Sequence, residues 1–283
     1  MLHADAADTS KRVNKRDLRQ VIKRTAYTLR NSFGIGRDGP NQDVVLCIST
    51  GHFMLPALFF GIIGAGGIYS AASPAATASE LAAQIQLIDA KLILCNTDTV
   101  SIAKEAAGKL SYPLSRVFCL GAGHDLSLHE AESGLLVPIL RSMLDWRKVT
   151  DPDELANSVI CILFSSGTTG FPKGVKLSHS NMVAEAFLTI EAAKEHYART
   201  NPSFEFRTLA HLPTAHIAGV QGYFINPQYY GGTVYWMTRF DFQKFLDYNK
   251  KYRVTMFFSV PPIYLAIAKH PGVTNQFDSL DHA

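Results

Sequence analysis

The chain reads as α/β, and three observations say so. Short apolar runs alternate with helical patterns along its 283 residues. Several runs are apolar on both faces, as in a parallel sheet covered by helices on each side. The helical stretches between them have readable ends. Six runs are predicted as strands: "DVVLCIS" (Asp43–Ser49), "KLILC" (Lys91–Cys95), "RVFCL" (Arg116–Leu120), "VICILF" (Val159–Phe164), "GTVYWM" (Gly232–Met237) and "RVTMFFS" (Arg253–Ser259).

The helices follow in order. Leu18, Val21, Ile22, Thr25, Leu29 and Phe33 fall on one stripe, and Gly34 stops that helix. Thr77 and Glu80 form a capping box ahead of Leu81, Ile85 and Ile88. Ser180 is the predicted cap of a helix burying Val183, Phe187 and Ile190. Pro261 and Pro262 open another, with Gly272 beyond its end. "TDPDELANS" (Thr150–Ser158) reads as a surface connection, and no internal repeat is visible.

Composition narrows the function classes. The net charge of +3 is too mild to imply a nucleic-acid partner. Lys11, Arg12, Lys15, Arg16, Arg19, Lys23 and Arg24 cluster early, on the polar side of the first helix, and read as a solvated face. Cys47, Cys95, Cys119 and Cys161 all lie in apolar runs without a C-x-x-C pair, so they read as buried thiols rather than a disulfide frame or zinc site. No secretory signal opens the chain, and a cytoplasmic location is expected. Phe53 to Ser79 carries no charge, but Pro56, several glycines and a small polar tail favour a buried helix running into a buried strand over a membrane span.

The most informative stretch is "LFSSGTTGFPKGVKLSH" (Leu163–His179). It is read as a loop after a strand and before a helix, where free backbone N–H groups and the helix dipole favour an anion. Glycines let the backbone approach a ligand, four hydroxyls add donors, and Lys173 adds a cation; the sum fits a polyphosphate. It is neither a Walker loop nor a G-x-G-x-x-G turn. From composition alone, a flexible surface turn remains open.

"FSSGTTGFPKGV" resembles, nearly residue for residue, the phosphate-loop signature of the adenylate-forming superfamily, which includes acyl-CoA synthetases, 4-coumarate–CoA ligases, firefly luciferase and the adenylation domains of nonribosomal peptide synthetases. "GIIGAGGIYSAASPAATASEL" resembles its Gly-rich turn and helix, "HLPTAHIAG" its P-x-x-H segment, and "TRFDFQKFLDYNKKYRVTMFFSVPPIYLAIAKHP" the stretch around its "PP" turn. The acyl- and aryl-CoA ligase branch fits best.

The resemblance implies a ligase that joins a carboxylic acid to ATP as acyl-adenylate and then to coenzyme A, with Mg²⁺. Ser165, Ser166, Gly167, Thr168, Thr169, Gly170 and Lys173 would hold the phosphates, His216 would stand beside the reacting carboxylate, and Arg239 would meet the CoA nucleotide. Read without the resemblance, His216 also fits a core histidine, Arg239 a surface charge, and Lys173 an incidental anion site. His211 and His216 make a poor metal pair because Pro213 lies between them. The implied fold is a layered αβα subdomain over 40–203, with 1–39 and 204–283 forming an incomplete second αβ subdomain in which the first helix packs.

The resemblance also implies missing parts. The family continues beyond "FDSLDHA" with "SGAAPL"-, "YGxTE"- and "TGD"-like segments, a hinge and a lid domain carrying a lysine, and its usual start is longer. The expectation is a fragment, a truncated gene or a shortened natural product with little or no ligase activity alone, its partner being the absent C-terminal part. A non-catalytic nucleotide- or partner-binding chain and an adenylation domain loading a carrier protein are the alternatives. A full-length form could be peroxisomal.

Overall fold

The computed structural model describes residues 2–121, 123, 125–165 and 172–283. In chain order, β1 (His3–Asp5) and β2 (Arg12–Val13) precede α1 (Lys15–Phe33). Then β3 (Val44–Ile48), α2 (Leu55–Gly64), β4 (Ile68–Ala72), α3 (Ala78–Leu87), β5 (Ala90–Asn96), α4 (Val100–Lys109) and β6 (Val117–Leu120) alternate. β7 (Leu128–Glu130) and β8 (Leu136–Val137) lead to the short helix α5 (Pro152–Asn157), which forms within the expected surface connection. β9 (Val159–Ser165) and β10 (Lys173–Ser178) lead to α6 (His179–Thr200). Next come β11 (Arg207–Ala210) and α7 (Ile217–Val220), which continues through a π turn (Gln221–Ile225) into α8 (Asn226–Tyr230). β12 (Thr233–Trp236), α9 (Phe242–Tyr252) and α10 (Pro261–Lys269) follow.

Among the described residues the strands form two sheets, one of eight in the order β10-β9-β4-β3-β5-β6-β7-β8 and one of four in the order β11-β12-β1-β2. The large sheet is parallel from β9 to β6, with antiparallel strands at both flanks. All five residues of β3 are buried. Val45 and Cys47 face one core with α1 and α2, while Leu46 and Ile48 face a second core with α3 and α4. That period-two alternation between two apolar layers explains why the run is apolar throughout. The Phe53–Ser79 segment is the expected buried helix and strand, α2 and β4. Among the described residues no helix is long and apolar enough to cross a membrane.

Helix α1 has the predicted stripe: Asn14 caps it by accepting from the Asp17 N–H at 2.9 Å, and Gly34 ends it with φ 78°. Its placement differs from the expectation of packing with 204–283. It lies chiefly on α2, where a Cβ at Gly61 would come within 2.7 Å of the Thr25 side chain. Two small faces approaching closely decide that packing. Lys23 and Arg24 depart from the solvated-face reading. Lys23 pairs with Asp145, and the Arg24 guanidinium donates to the carbonyls of Ile139 and Leu140, holding an irregular strap over α1. The strap's unpaired backbone groups need such partners.

Three more expectations are corrected. Arg253–Ser259 is not a strand; its only ladder pairing among the described residues is one bridge, Met256 to His282. The Thr255 hydroxyl there donates to the Glu205 carbonyl instead, at 2.7 Å. Helix α6 is capped by Ser178 rather than Ser180, in a capping box with Asn181. It buries Met182, Ala186, Ile190 and Tyr197, while Val183 and Phe187 are 60% and 54% exposed. The packed stripe is one residue round from the expected one and narrow; α6 packs on α5, α8, the π turn and the hairpin beside it.

Candidate functional site

The candidate residues gather at one kind of place, the C-terminal ends of parallel strands, where open α/β sheets present their ligand crevices. Ser165 ends β9, and Lys173 begins β10 directly opposite, as its register partner. Register partners share a face, so the hydroxyl and the ammonium stem rise together from the mouth of a hairpin. That face is the one carrying Leu163 and Cys161, which belong to the core shared with α2 and with Ala210, Val220 and Tyr223. Both residues are exposed, and no described carboxylate pairs with Lys173. Ser166, Gly167, Thr168, Thr169 and Gly170 lie outside the described residues.

The hairpin corrects the local reading of this loop. The segment after Pro172 is a strand, not the start of a helix, and α6 begins only at His179. The stretch therefore connects two antiparallel strands. Lys173–Ser178 alternates apolar and polar residues along an edge, which suffices for pairing with β9. The helix dipole is removed from the case for an anion here, which rests instead on the loop's composition and on Lys173.

His216 sits on the turn after β11. It is exposed, and its Nδ1 accepts from the Ala218 N–H at 3.2 Å, capping α7. It is thus not a core histidine. The turn lies on the same face of the large sheet as Ser165 and Lys173, because Leu212 and Ala215 pack against the core that holds Leu163 and the buried Tyr69 of β4. His211 is the core histidine of the segment. Its Nδ1–H donates to the Leu209 carbonyl at 2.8 Å and its Nε2 accepts from the Ser259 hydroxyl at 3.0 Å. Burial pushes its pKa down to about 4, so it is neutral near pH 7. Among the described residues no group of three His, Cys, Asp or Glu side chains could hold a metal.

Arg239 follows β12, and its Nε–H donates to the Asp98 carboxylate at 3.2 Å. Asp98 follows β5, and the Thr50 hydroxyl after β3 reaches the same carboxylate at 3.5 Å. Arg239 also lines a cleft of about 430 Å³ with Asp5, Trp236, Phe240, Lys244 and Tyr248. The reading of Arg239 overlooked Asp98, although "NTDT" after an apolar run is a visible polar turn. The two sheets join beside this pair. The Gly51 N–H donates to the Thr238 carbonyl at 2.8 Å, and a Cβ at Gly51 would stand 1.9 Å from the Met237 carbonyl oxygen. Arg239 and Lys173 are not in contact; between β9 and β5 lie three strand spacings, roughly 14 Å.

Comparison with known proteins shows the family and the fold. Residues 3–283 match the family described as AMP-binding enzyme. A protein of Emericella nidulans named as an acyl-coenzyme A synthetase is 46% identical over 100% of this chain and 51% of its own length. The phenylacetyl-CoA ligase of Aspergillus niger is 30% identical over 99% of this chain and 50% of its own. The solved structure of ATP-bound MatB from Rhodopseudomonas palustris superposes with a TM-score of 0.73, covering 99% of this chain and 50% of that one at 24% identity, a likeness of fold. The chain spans about half the length of the curated relatives it matches. With the family match running from residue 3 to residue 283, this chain belongs to the AMP-binding enzyme family.

Proposed function

We propose that this chain takes part in ATP-dependent activation of a carboxylic acid. An acyl-adenylate forms with release of pyrophosphate, and the acyl group then passes to the thiol of coenzyme A. The observation that carries the reading is the pairing of Ser165 with Lys173 as register partners of β9 and β10, in a chain of the AMP-binding family whose sequence between them includes "SGTTGF". Two anions must be brought together in the first step, and charge builds on the leaving pyrophosphate. A lysine and a set of hydroxyl and amide donors aimed at that charge stabilise it. On this reading Ser165, Ser166, Gly167, Thr168, Thr169, Gly170 and Lys173 hold the phosphates.

His216 is exposed with Nδ1 engaged as an acceptor, so its Nε2–H is left to donate to the acid's carboxylate. Arg239, at the edge of the cleft, would give its remaining guanidinium donors to a phosphate of the CoA nucleotide. Mg²⁺ is expected to arrive with the triphosphate; the described residues include no donor set for it, and no step is assigned to it.

The test has two arms. Calorimetric titration of the 283-residue chain with ATP and Mg²⁺ should show binding that Lys173→Met weakens. Pyrophosphate exchange should depend on an added aromatic or fatty acid once the chain is extended to its relatives' length. Absence of ATP binding together with acid-independent exchange by the extended protein would refute the reading.

A further inference from the structure

Away from the candidate site, Cys95 of β5, Cys119 of β6 and His129 of β7 are register partners in a single row across the large sheet. Their side chains share a face. Adjacent strands run about 4.8 Å apart, within the 4.4–6.8 Å Cα separation typical of a disulfide. The two thiols stand side by side as register partners, and the Cys119 S–H reaches the Leu120 carbonyl at 3.6 Å. Cys95 is fully buried, and its S–H donates to the Phe118 carbonyl at 3.3 Å. Cys119 is partly exposed, with the Thr97 hydroxyl 4.0 Å from its sulfur. Cys47 and Cys161 lie in the core on the opposite face and have no part in this row.

We propose that Cys95 and Cys119 form a reversible dithiol–disulfide site that reacts with hydroperoxides, with Cys119 attacking and Cys95 resolving. The Cys119 thiolate attacks one peroxide oxygen and the O–O bond breaks. Cys119 becomes a sulfenic acid, and the departing oxyanion takes up a proton, forming water when the oxidant is hydrogen peroxide. The Cys95 sulfur then attacks that sulfur, the S–S bond forms and the S–O bond breaks. Hydroxide leaves and, with the Cys95 proton, becomes water. Two thiols and one peroxide thus give one disulfide and two waters, and an added dithiol reverses the change.

Electrostatics fits this order of events. The Cys119 pKa is lowered to about 6, first by the adjacent Cys95 thiol and further by the Thr97 hydroxyl and His129, against burial. Burial raises the thiols of Cys47 and Cys161. His129 is held in place by the Ser127 hydroxyl and the Gly134 carbonyl, each at 3.4 Å. A lower pKa also makes a thiolate a weaker nucleophile, so the gain over an ordinary thiol at pH 7 is only about two- to threefold. The selectivity comes instead from Cys119 being partly exposed while the other three thiols are buried.

The site can be tested on the whole chain. The protein is treated with stepwise hydrogen peroxide, alkylated and digested with trypsin, and its peptides are mapped. Peptides 92–104 and 117–141 each hold one of the two cysteines. The expected product is one linked pair of these peptides, absent after dithiothreitol, with Cys47 and Cys161 still alkylated. Cys119→Ser should slow thiol loss by about tenfold, and Cys95→Ala should leave a sulfenic acid at Cys119 that dimedone captures. Linkage through any other cysteine, or build-up of sulfinic acid at Cys119 in the unsubstituted protein with no linked pair, would overturn the proposal. The peptide map of the unsubstituted chain decides even if a variant fails to fold.

Discussion

Arg239 and Asp98 tie the two sheets together: the guanidinium, after β12 of the small sheet, donates at 3.2 Å to the carboxylate after β5 of the large one. Their side chains are 68% and 37% exposed, so the pair contributes little to stability, under ~1 kcal/mol. Its use is positional. Arg239→Ala is expected to leave the urea midpoint nearly unchanged. In the length-extended protein it should raise the KM for coenzyme A by about tenfold, the equivalent of one lost charged phosphate contact of ~1.4 kcal/mol. Acid-dependent pyrophosphate exchange should not change. An unaltered coenzyme A KM would reassign Arg239 to the surface.

Lys173 stands exposed opposite Ser165. Lys173→Met is expected to weaken ATP binding by about ten- to a hundredfold, since a charged hydrogen bond to a phosphate is lost. Ser165→Ala removes a neutral donor and should cost about threefold. Neither change should move the thermal midpoint. Equal affinities in calorimetry would show that the hairpin mouth does not hold the phosphates.

Gly51 is a packing limit rather than a flexible joint. Its Cβ position is 1.9 Å from the Met237 carbonyl oxygen, and backbone cannot move aside as a side-chain tip can. Gly51→Ala is expected to destabilise by ~3 kcal/mol, read as a lower urea midpoint with an unchanged slope. A midpoint within error of the unsubstituted protein would mean that the two sheets join elsewhere.

Acid should unfold this protein through two buried histidines. Burial lowers His211 to about 4 and His3 to about 3. Both lie below the unfolded value near 6.5, so on acidification the unfolded chain binds protons first. The stability they contribute is complete above about pH 6.5. It falls through pH 4 for His211 and pH 3 for His3, at up to ~1.4 kcal/mol per pH unit for each. Urea midpoints at pH 7.5, 6 and 5 should decline progressively, and His211→Gln should make the decline shallower. A flat profile would contradict the neutral, buried assignment.

How far the sequence carried differs by element. β3, β5, β6, β9 and β12 were legible within a residue or two because apolar runs are local signals. The capping box of Thr77 and Glu80 was legible for the same reason, and Thr77 N–H does donate to the Glu80 carboxylate at 2.7 Å. β10 was not, since Lys173–Ser178 is half polar and becomes a strand only by pairing with β9. Arg253–Ser259 failed in the opposite sense: it has strand-forming residues, yet a ladder needs a neighbour in register, and it meets one bridge partner.

The class of fold, the family resemblance and the Ser/Thr/Gly/Lys make-up of Ser165–Lys173 are legible in the amino-acid order, because each is written in short-range pattern and spacing. Only the assembled sheets place Lys173 opposite Ser165, Asp98 against Arg239 and Cys95 beside Cys119. Those pairs join residues 8 to 141 positions apart. Register and sheet order bring them together, and both are set by the burial of whole faces rather than by any local run of residues.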